Sequence, residues 1–341
     1  MIKFERIIDC IDAHTAGEPL RIIKSGVPPI KGNTMLEKRK YFKKNYDNIR
    51  KLLMLEPRGH SGMYGCIITS SVTKDGDIGV LFTHNDGLST MCGHGIIAVT
   101  KVAIETGILE IENSSYKKVK IDTPAGRVVA IAELENGFVK NVKFNNVPSF
   151  VYKEDLELNM DDYGKVTINI VFGGAFYVFV SASEFNLKVE PKFLSKLVEI
   201  GMKLKYKVMD IIKVEHPIEK DLNGIYGTIF TEPLINKRNK IISKNVCVFA
   251  DGQVDRSPTG TGTGARVALL NKKGFMDKKH ELINKSIIDT IFTGRIVEFN
   301  KIQKFNSIIP QIEGNANIIG FNKIVLEPDD PLSNGFRILG N

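Results

Sequence analysis

Two stretches of this chain resemble each other, and the repetition limits the folds that the chain can adopt. Met91–Gly95 and Ser257–Gly262 are both turns of small residues, and each runs into an apolar segment that ends at a glycine. Apolar residues on most faces and a closing glycine predict a short buried helix after each turn. The first turn carries the thiol of Cys92 at the position where the second carries the hydroxyl of Thr259.

The likeness extends beyond the turns, in three further pairs of segments that keep the same order. These pairs are 63–69 with 225–231, 80–82 with 247–249, and 122–128 with 289–296. Such a pattern indicates one internal duplication rather than a solenoid, which needs more and shorter repeats. We predict two lobes, residues 1–150 with the Cys92 turn and residues 151–341 with the Thr259 turn. The sequence leaves open whether the last strands return to the first lobe.

Composition places the chain among ordinary globular proteins, with 43% hydrophobic and 25% charged residues in 341 positions. Its four cysteines lie far apart and form no CxxC pair, which argues against a disulfide framework or a zinc site. They indicate a reducing compartment. Because we find neither the apolar core of a signal peptide nor a run long enough to cross a membrane, we expect a cytoplasmic protein with no membrane partner.

The net charge of +8 raises the question of nucleic-acid binding. The basic residues concentrate in Lys38–Lys44, followed by Arg50 and Lys51, and the apolar residues around them fit one face of a helix over about 33–55. A nucleic-acid surface needs focused charge interleaved with aromatic residues. We therefore predict an amphipathic helix with a solvated basic face and no nucleic-acid partner.

Cys92 is the strongest candidate for chemistry. A cysteine at a helix N-terminus is exposed to aligned peptide dipoles and N–H donors, which favour the thiolate over the thiol. A thiolate can serve as nucleophile, metal ligand or general base. The alternative, a buried small hydrophobic residue, is favoured for Cys10, Cys66 and Cys247 because they lie within strand patterns.

The neighbouring polar residues have weaker signals. His94 could join Cys92 at a metal, but a lone Cys-x-His without further ligands predicts no metal site. Thr259 is far less acidic than a thiol, yet its hydroxyl can donate or relay a hydrogen bond. Asp255 has two interpretations, a partner for a substrate ammonium or a capping residue of the turn.

Several motifs together strongly resemble the proline racemase family, over nearly the whole chain. They are residues 12–19, 56–60, 86–95, 122–126, 173–177 and 255–263. The resemblance implies an α/β (α+β) fold of the diaminopimelate-epimerase-like type. Such a fold has two pseudo-symmetric lobes, each a curved and mostly antiparallel sheet around a central helix, with the active site between the lobes. It also implies a homodimer.

The resemblance carries an expected chemistry as well. In racemases and 4-hydroxyproline epimerases of this family, two cysteines flank the substrate α-carbon, whereas here Thr259 stands where the second cysteine would be. Members with Cys and then Thr resemble trans-3-hydroxy-L-proline dehydratases. In these, Cys92 would remove the α-proton, the β-hydroxyl would leave, and Δ1-pyrroline-2-carboxylate would form without a metal or an organic cofactor.

The resemblance also assigns roles to the remaining residues. The backbone N–H groups expected to bind the substrate carboxylate are those of Gly93, His94, Gly260 and Thr261. Asp255 is expected to bind the ring ammonium. The acid that protonates the leaving hydroxyl stays open among His94, Thr259 and a bound water. Two alternatives also stay open, namely an isomerase acting on proline or 4-hydroxyproline, and a non-catalytic binder of amino acids.

Overall fold

The computed structural model describes residues 4–110 and 114–338, and they form two compact units. The first unit comprises the chain up to Val142 together with the segment from Asn315 onward, and the second unit is Lys143–Gly314. The segment from Asn315 contributes a strand that pairs with the first strand of the chain, so the C-terminal part belongs to the first unit. None of the described helices is long and apolar enough to span a membrane.

The first unit contains two helices and a set of strands, labelled here in chain order. They are β1 (Arg6–Thr15), β2 (Glu18–Ser25), α1 (Met35–Met54), β3 (Tyr64–Thr69), β4 (Ile78–His84), β5 (Gly87–Ser89), α2 (Gly93–Glu105), β6 (Tyr116–Thr123), β7 (Gly126–Glu135), β8 (Phe138–Asn145) and, from the end of the chain, β19 (Ala316–Leu326). β8 runs slightly past Val142 into the second unit.

The second unit contains two more long helices. Its elements are β9 (Ser149–Met160), β10 (Gly164–Phe172), β11 (Phe176–Ser181), α3 (Leu194–Ile211), β12 (Ile225–Thr231), β13 (Ile235–Lys237), β14 (Lys240–Phe249), β15 (Gln253–Asp255), α4 (Gly260–Lys272), β16 (Glu281–Lys285), β17 (Ile291–Ile302) and β18 (Phe305–Gly314). Short 3₁₀ turns connect some of them.

Strand pairing repeats between the two units. In the first, β1 is antiparallel to β19 and β2, β2 is parallel to β3, β3 is antiparallel to β4, and β4 is antiparallel to β5 and parallel to β6. In the second, β10, β9, β11, β12, β14, β15 and β16 follow the same scheme. β13 is an addition that forms a hairpin with β14. The shared topology agrees with the duplication inferred from sequence.

Each unit surrounds one buried helix, as the apolar segments predicted. α2 packs on β1, β2, β7 and β19, and α4 packs on β9, β10, β17 and β18. Every residue of α4 from Gly260 to Leu270 is buried. Gly173 permits this close packing, because a Cβ there would lie 2.3 Å from the carbonyl oxygen of Thr261. The other long helices, α1 and α3, pack on the strands of their own units and keep one face towards solvent.

The basic helix is amphipathic, but its predicted solvated basic face is wrong for two residues. Lys38 is buried, and its Nζ donates to the carbonyl of Ser70 at 2.7 Å. Arg50 is also buried, where its Nε donates to Asp47 and its Nη1 to the carbonyl of His84. Both cations donate to backbone carbonyls at the ends of strands or in loops of the first unit. A long side chain can do so because its aliphatic part lies along an apolar surface.

Candidate functional site

Cys92 is the N-cap residue of α2, and Thr90 and Met91 separate it from the end of β5. Its backbone is extended, with φ −148° and ψ 112°, and its sulfur accepts a hydrogen bond from the Gly95 N–H at 3.2 Å. The side chain is 5% exposed. The sulfur therefore lies at the end of the helix where unpaired N–H groups and the macrodipole favour negative charge.

His94 lies beside this sulfur, with its Nδ1 3.3 Å from Cys92 Sγ. The ring is buried, and Tyr64 packs against it edge-on with 4.9 Å between centroids. Thr15 Oγ1 donates to the His94 carbonyl at 2.9 Å. Tyr64 also contacts Ser89 through its hydroxyl. Tyr64 of β3 therefore packs on the imidazole, and Thr15 of β1 holds the backbone of the same residue.

Gly95 lets the sulfur approach the helix start. A Cβ at Gly95 would lie 2.6 Å from Cε1 of Phe82 and 3.0 Å from Cys92 Sγ. The third helical position must therefore lack a side chain if the thiol is to contact the N–H of that residue. The glycine in this motif has a steric reason in addition to its effect on the helix start.

Thr259 occupies the equivalent N-cap position of α4 with a different backbone. Its φ is +64° and its ψ is 106°, and its side chain makes no capping hydrogen bond. A β-branched residue at positive φ is an outlier, and such strain costs about 1–3 kcal/mol. Within the described part of the chain, Thr259 Oγ1 is a buried hydroxyl with no hydrogen-bond partner. Its methyl group, not its hydroxyl, lies over Gly262, where a Cβ would meet Thr259 Cγ2 at 2.9 Å.

The loop before α4 holds Thr259 in this conformation. Asp255 Oδ1 accepts from the Ser257 N–H at 2.8 Å, and Ser257 Oγ accepts from the Thr259 N–H at 3.1 Å. The Pro258 carbonyl accepts from Thr263 Oγ1 at 3.1 Å. It accepts further hydrogen bonds from the side-chain amides of Asn245 and Asn284. The strained residue is therefore fixed by its neighbours on both sides.

Asp255 and Thr261 occupy the same end of the second unit. Asp255 is buried on β15, and its Oδ1 is engaged by the turn as described. Thr261 Oγ1 is 2.6 Å from the hydroxyl of Tyr177, a fully buried residue of β11. Burial raises the pKa of Tyr177 well above its usual value, so this phenol stays protonated. The N–H groups of Gly260, Thr261 and Gly262 have no acceptor among the described residues, as expected for the first turn of a helix.

The other three cysteines are buried within strands, as the sequence predicted. Cys10, Cys66 and Cys247 lie in strands and are almost completely buried. Burial raises the pKa of Cys10 to about 12 and raises that of Cys66 further, so neither forms a thiolate near neutral pH. Residues 4–110 and 114–338 contain no cluster of three histidine, cysteine or acidic side chains able to hold a metal.

The structure brings the sequence-predicted residues together within each unit. Cys92, Gly93 and His94 form one group at the start of α2, whereas Asp255, Thr259, Gly260 and Thr261 form another at the start of α4. Two aromatic residues were missed, Tyr64 against His94 and Tyr177 on Thr261. The internal duplication could have indicated Tyr64, because Tyr64 and Tyr226 are equivalent residues at the starts of β3 and β12.

The model of the proline racemase family matches residues 10–337. The chain belongs to this family. It is 48% identical over 337 residues to a trans-3-hydroxy-L-proline dehydratase of Bacillus cereus, covering 99% of this chain and 100% of the relative. It is 42% identical to a proline racemase of Acetoanaerobium sticklandii, with 99% and 100% covered.

A solved structure agrees with this membership. The hydroxyproline epimerase of Agrobacterium vitis, crystallised with trans-4-hydroxy-L-proline, superimposes with a TM-score of 0.90 at 27% identity, covering 99% of this chain and 97% of that one. The predicted fold class is thereby confirmed, because the mixed α/β architecture is the one that proline racemase family members share. Named members of the family act as dehydratase, racemase or epimerase, and the family is catalytic.

Proposed function

We propose that this protein dehydrates trans-3-hydroxy-L-proline to Δ1-pyrroline-2-carboxylate without a cofactor. The observation that carries the proposal is the difference between the two helix starts. One presents the thiol of Cys92, and the other presents the hydroxyl of Thr259. The name of the Bacillus cereus relative at 48% identity supports the same activity.

In this proposal Cys92 is the general base. Its sulfur accepts from the Gly95 N–H at 3.2 Å and lies at a helix N-terminus, and both features stabilise a thiolate. The His94 Nδ1 at 3.3 Å gives the thiol proton a neighbouring acceptor. A thiolate so placed can take the α-proton of an imino acid whose carboxylate is held nearby.

The substrate carboxylate needs donors, since negative charge develops on it as the α-proton leaves. Helix starts supply such donors in a fixed arrangement, and fixed dipoles stabilise developing charge strongly. We assign this role to the N–H groups of Gly93, His94, Gly260 and Thr261. Asp255 is assigned to the ring ammonium. Its Oδ1 is used by Ser257, so Oδ2 is the oxygen that binds the ligand.

Loss of the 3-hydroxyl completes the reaction. The electron pair of the Cα–H bond becomes the Cα=Cβ bond, the Cβ–O bond breaks, and the hydroxide accepts a proton to leave as water. The resulting enamine tautomerises to the cyclic imine. Thr259 Oγ1 is buried and unpaired among the described residues, so it has a donor to offer the departing oxygen. No second thiol is present to return a proton to the opposite face of Cα, so the carbanion expels the hydroxyl instead of being inverted.

An isomerase is the second candidate, and two relatives favour it. The Acetoanaerobium sticklandii relative is named a proline racemase, and the Agrobacterium vitis structure is a hydroxyproline epimerase. Inversion by this chain would need another acid in place of the second thiol, because Thr259 stands where the second cysteine would be. We further propose a homodimer, as the family resemblance implies, and a cytoplasmic location, as the widely spaced cysteines indicate.

The test uses three substrates. The protein is incubated with trans-3-hydroxy-L-proline, trans-4-hydroxy-L-proline or L-proline, and borohydride then reduces any cyclic imine to proline. We expect trapped proline only from the 3-hydroxy compound and no inversion of the other two. Inversion of L-proline or 4-hydroxyproline without trapped product favours the isomerase. No reaction with any of the three would sink both proposals.

A further inference from the structure

Arg266 is a buried cation that the proposed chemistry does not use. It lies in the middle of α4, and its side chain is about nine-tenths buried. Burial lowers its pKa to about 10, which keeps the guanidinium charged near neutral pH. A buried charge is costly unless it is paired and hydrogen-bonded.

The other buried arginines have partners. Arg21 binds both carboxylate oxygens of Asp12, at 2.9 and 2.8 Å, and the carbonyl of Leu53 at 3.0 Å. Arg50 binds Asp47 and the carbonyl of His84. The Nε of Arg266 is buried and has no hydrogen-bond partner within the described residues. The buried Nε of Arg266 without a partner therefore requires a separate explanation.

A cavity of about 240 Å³ adjoins the side chain. Its volume is below the range of about 300–1,000 Å³ typical of pockets for drug-sized ligands. The apolar side chains lining it are Phe179, Val180, Leu234, Leu269, Leu270 and Phe275. The polar side includes Thr167 and Asn169, while the acids Asp155 and Glu184 also line it. Asp155 is paired with Lys273 at 2.7 Å.

We propose that Arg266 is the anion-binding residue of a second binding site. This site takes a small organic monocarboxylate with a short apolar chain. A planar guanidinium binds a carboxylate with two parallel hydrogen bonds. The apolar wall accommodates the chain of the ligand, and the volume excludes nucleotides and other large anions. All of these residues belong to the second unit, and none of them takes part in the proposed dehydration.

Thermal unfolding with sodium pentanoate as the probe tests the site, with ionic strength matched by sodium chloride. We expect pentanoate to raise Tm, by roughly 2 °C at ten times its dissociation constant. Formate and inorganic phosphate should act more weakly, because neither has an apolar chain. Arg266→Met should abolish the response, and without pentanoate its Tm should equal or exceed that of the wild type, since an unpaired buried charge is removed.

The matched control is Lys272→Met, which removes an exposed cation from the same helix, paired with Glu154 at 3.7 Å. It should keep the full response to pentanoate. Arg266→Lys serves as a second variant that keeps the charge but loses the planar fork. Calorimetric titration should give it at least about tenfold weaker binding of pentanoate.

Three results would overturn the proposal. They are no response in the wild type, an equal response in Arg266→Met, and a stronger response to phosphate than to pentanoate. A large loss of Tm in Arg266→Met combined with unchanged binding by Arg266→Lys would do the same, because Arg266 would then be structural. Pentanoate has neither the amine nor the 3-hydroxyl of the proposed substrate, so failure here is distinct from failure of the dehydratase assignment.

Discussion

The starts of α2 and α4 follow the same strand–turn–helix plan but treat their capping side chains in opposite ways. Cys92 has an ordinary extended backbone, and its sulfur accepts the N–H of the third helical residue. Thr259 has a positive φ, directs its methyl group at the third helical residue, and leaves its hydroxyl unpaired among the described residues. One cap is satisfied by the fold, and the other is not.

The polar group of the capping side chain therefore has a different role in each turn. A cap that is satisfied internally stabilises charge on its own sulfur, which suits a base. A strained residue with an orphan hydroxyl persists only when its surroundings hold it, and such residues concentrate at functional sites. The turn before α4 supplies that support through Ser257 and Pro258. We interpret Thr259 as a donor whose partner is the substrate.

The largest expected effect comes from Cys92→Ser. Serine is a good N-cap, so the fold should remain intact, but a hydroxyl cannot act as the base. We expect kcat for dehydration to fall by about 10³-fold or more, as borohydride trapping of the product would measure. Cys10→Ala, at a buried strand position, is the control and should retain turnover. Full activity in Cys92→Ser would contradict the proposal that Cys92 is the general base.

Thr259→Cys should make the two helix starts alike. A second thiol can return a proton to the opposite face of the α-carbon, so inversion of trans-4-hydroxy-L-proline should appear. Chiral chromatography should detect it on the order of 10²-fold above the wild-type background. Thr259→Ser keeps a hydroxyl and should gain no inversion. Equal inversion in both variants would show that the thiol is not what distinguishes the turns.

Gly95→Ala should disturb the first turn selectively. The added Cβ would press on Phe82 and on the Cys92 sulfur, and overpacking of this kind costs about 1–3 kcal/mol. We expect a lower Tm together with roughly tenfold lower kcat, because the thiol moves off its N–H donor. Gly87→Ala adds a Cβ where nothing lies within 4 Å, and it should change neither quantity. If Gly95→Ala changed neither Tm nor kcat, the sulfur would have room to shift.

The smallest effect is expected in the stability of Thr259→Val. This change removes an unpaired buried hydroxyl, so the free energy of unfolding should stay level or rise by up to about 1 kcal/mol while dehydration slows. The same change at Thr263 is the comparison, because its Oγ1 donates to Pro258 and accepts from Asn284. Thr263→Val should lose about 1–3 kcal/mol. Urea unfolding of both variants measures the contrast, and an equal loss in each would mean that Thr259 has a partner in the fold.

Sequence patterns predicted the parts of the fold that depend on local order. The apolar segments after Cys92 and Thr259 become buried helices, and the repeated segments become strands with repeated pairing. These features follow from periodicity and turn chemistry, which a single sequence carries. The family resemblance extended them to a named fold.

Long-range contacts could not be predicted in the same way. Nothing near Lys38 or Arg50 in the sequence indicates the carbonyls that bury them, and both were expected to face solvent. The surroundings of the buried Arg266 side chain include strands more than thirty residues away along the chain. The positive φ of Thr259 is also hidden from sequence, since threonine rarely adopts it.

We propose that this protein has one proton-transfer thiol and therefore works on one face of the α-carbon. Incubation of L-proline in D₂O, followed by mass spectrometry and chiral chromatography, tests it directly. We predict that Cys92 exchanges the α-proton for deuterium and that the product remains L-proline. Accumulation of D-proline carrying deuterium at the α-carbon would contradict it, because a second group would then deliver a proton to the opposite face.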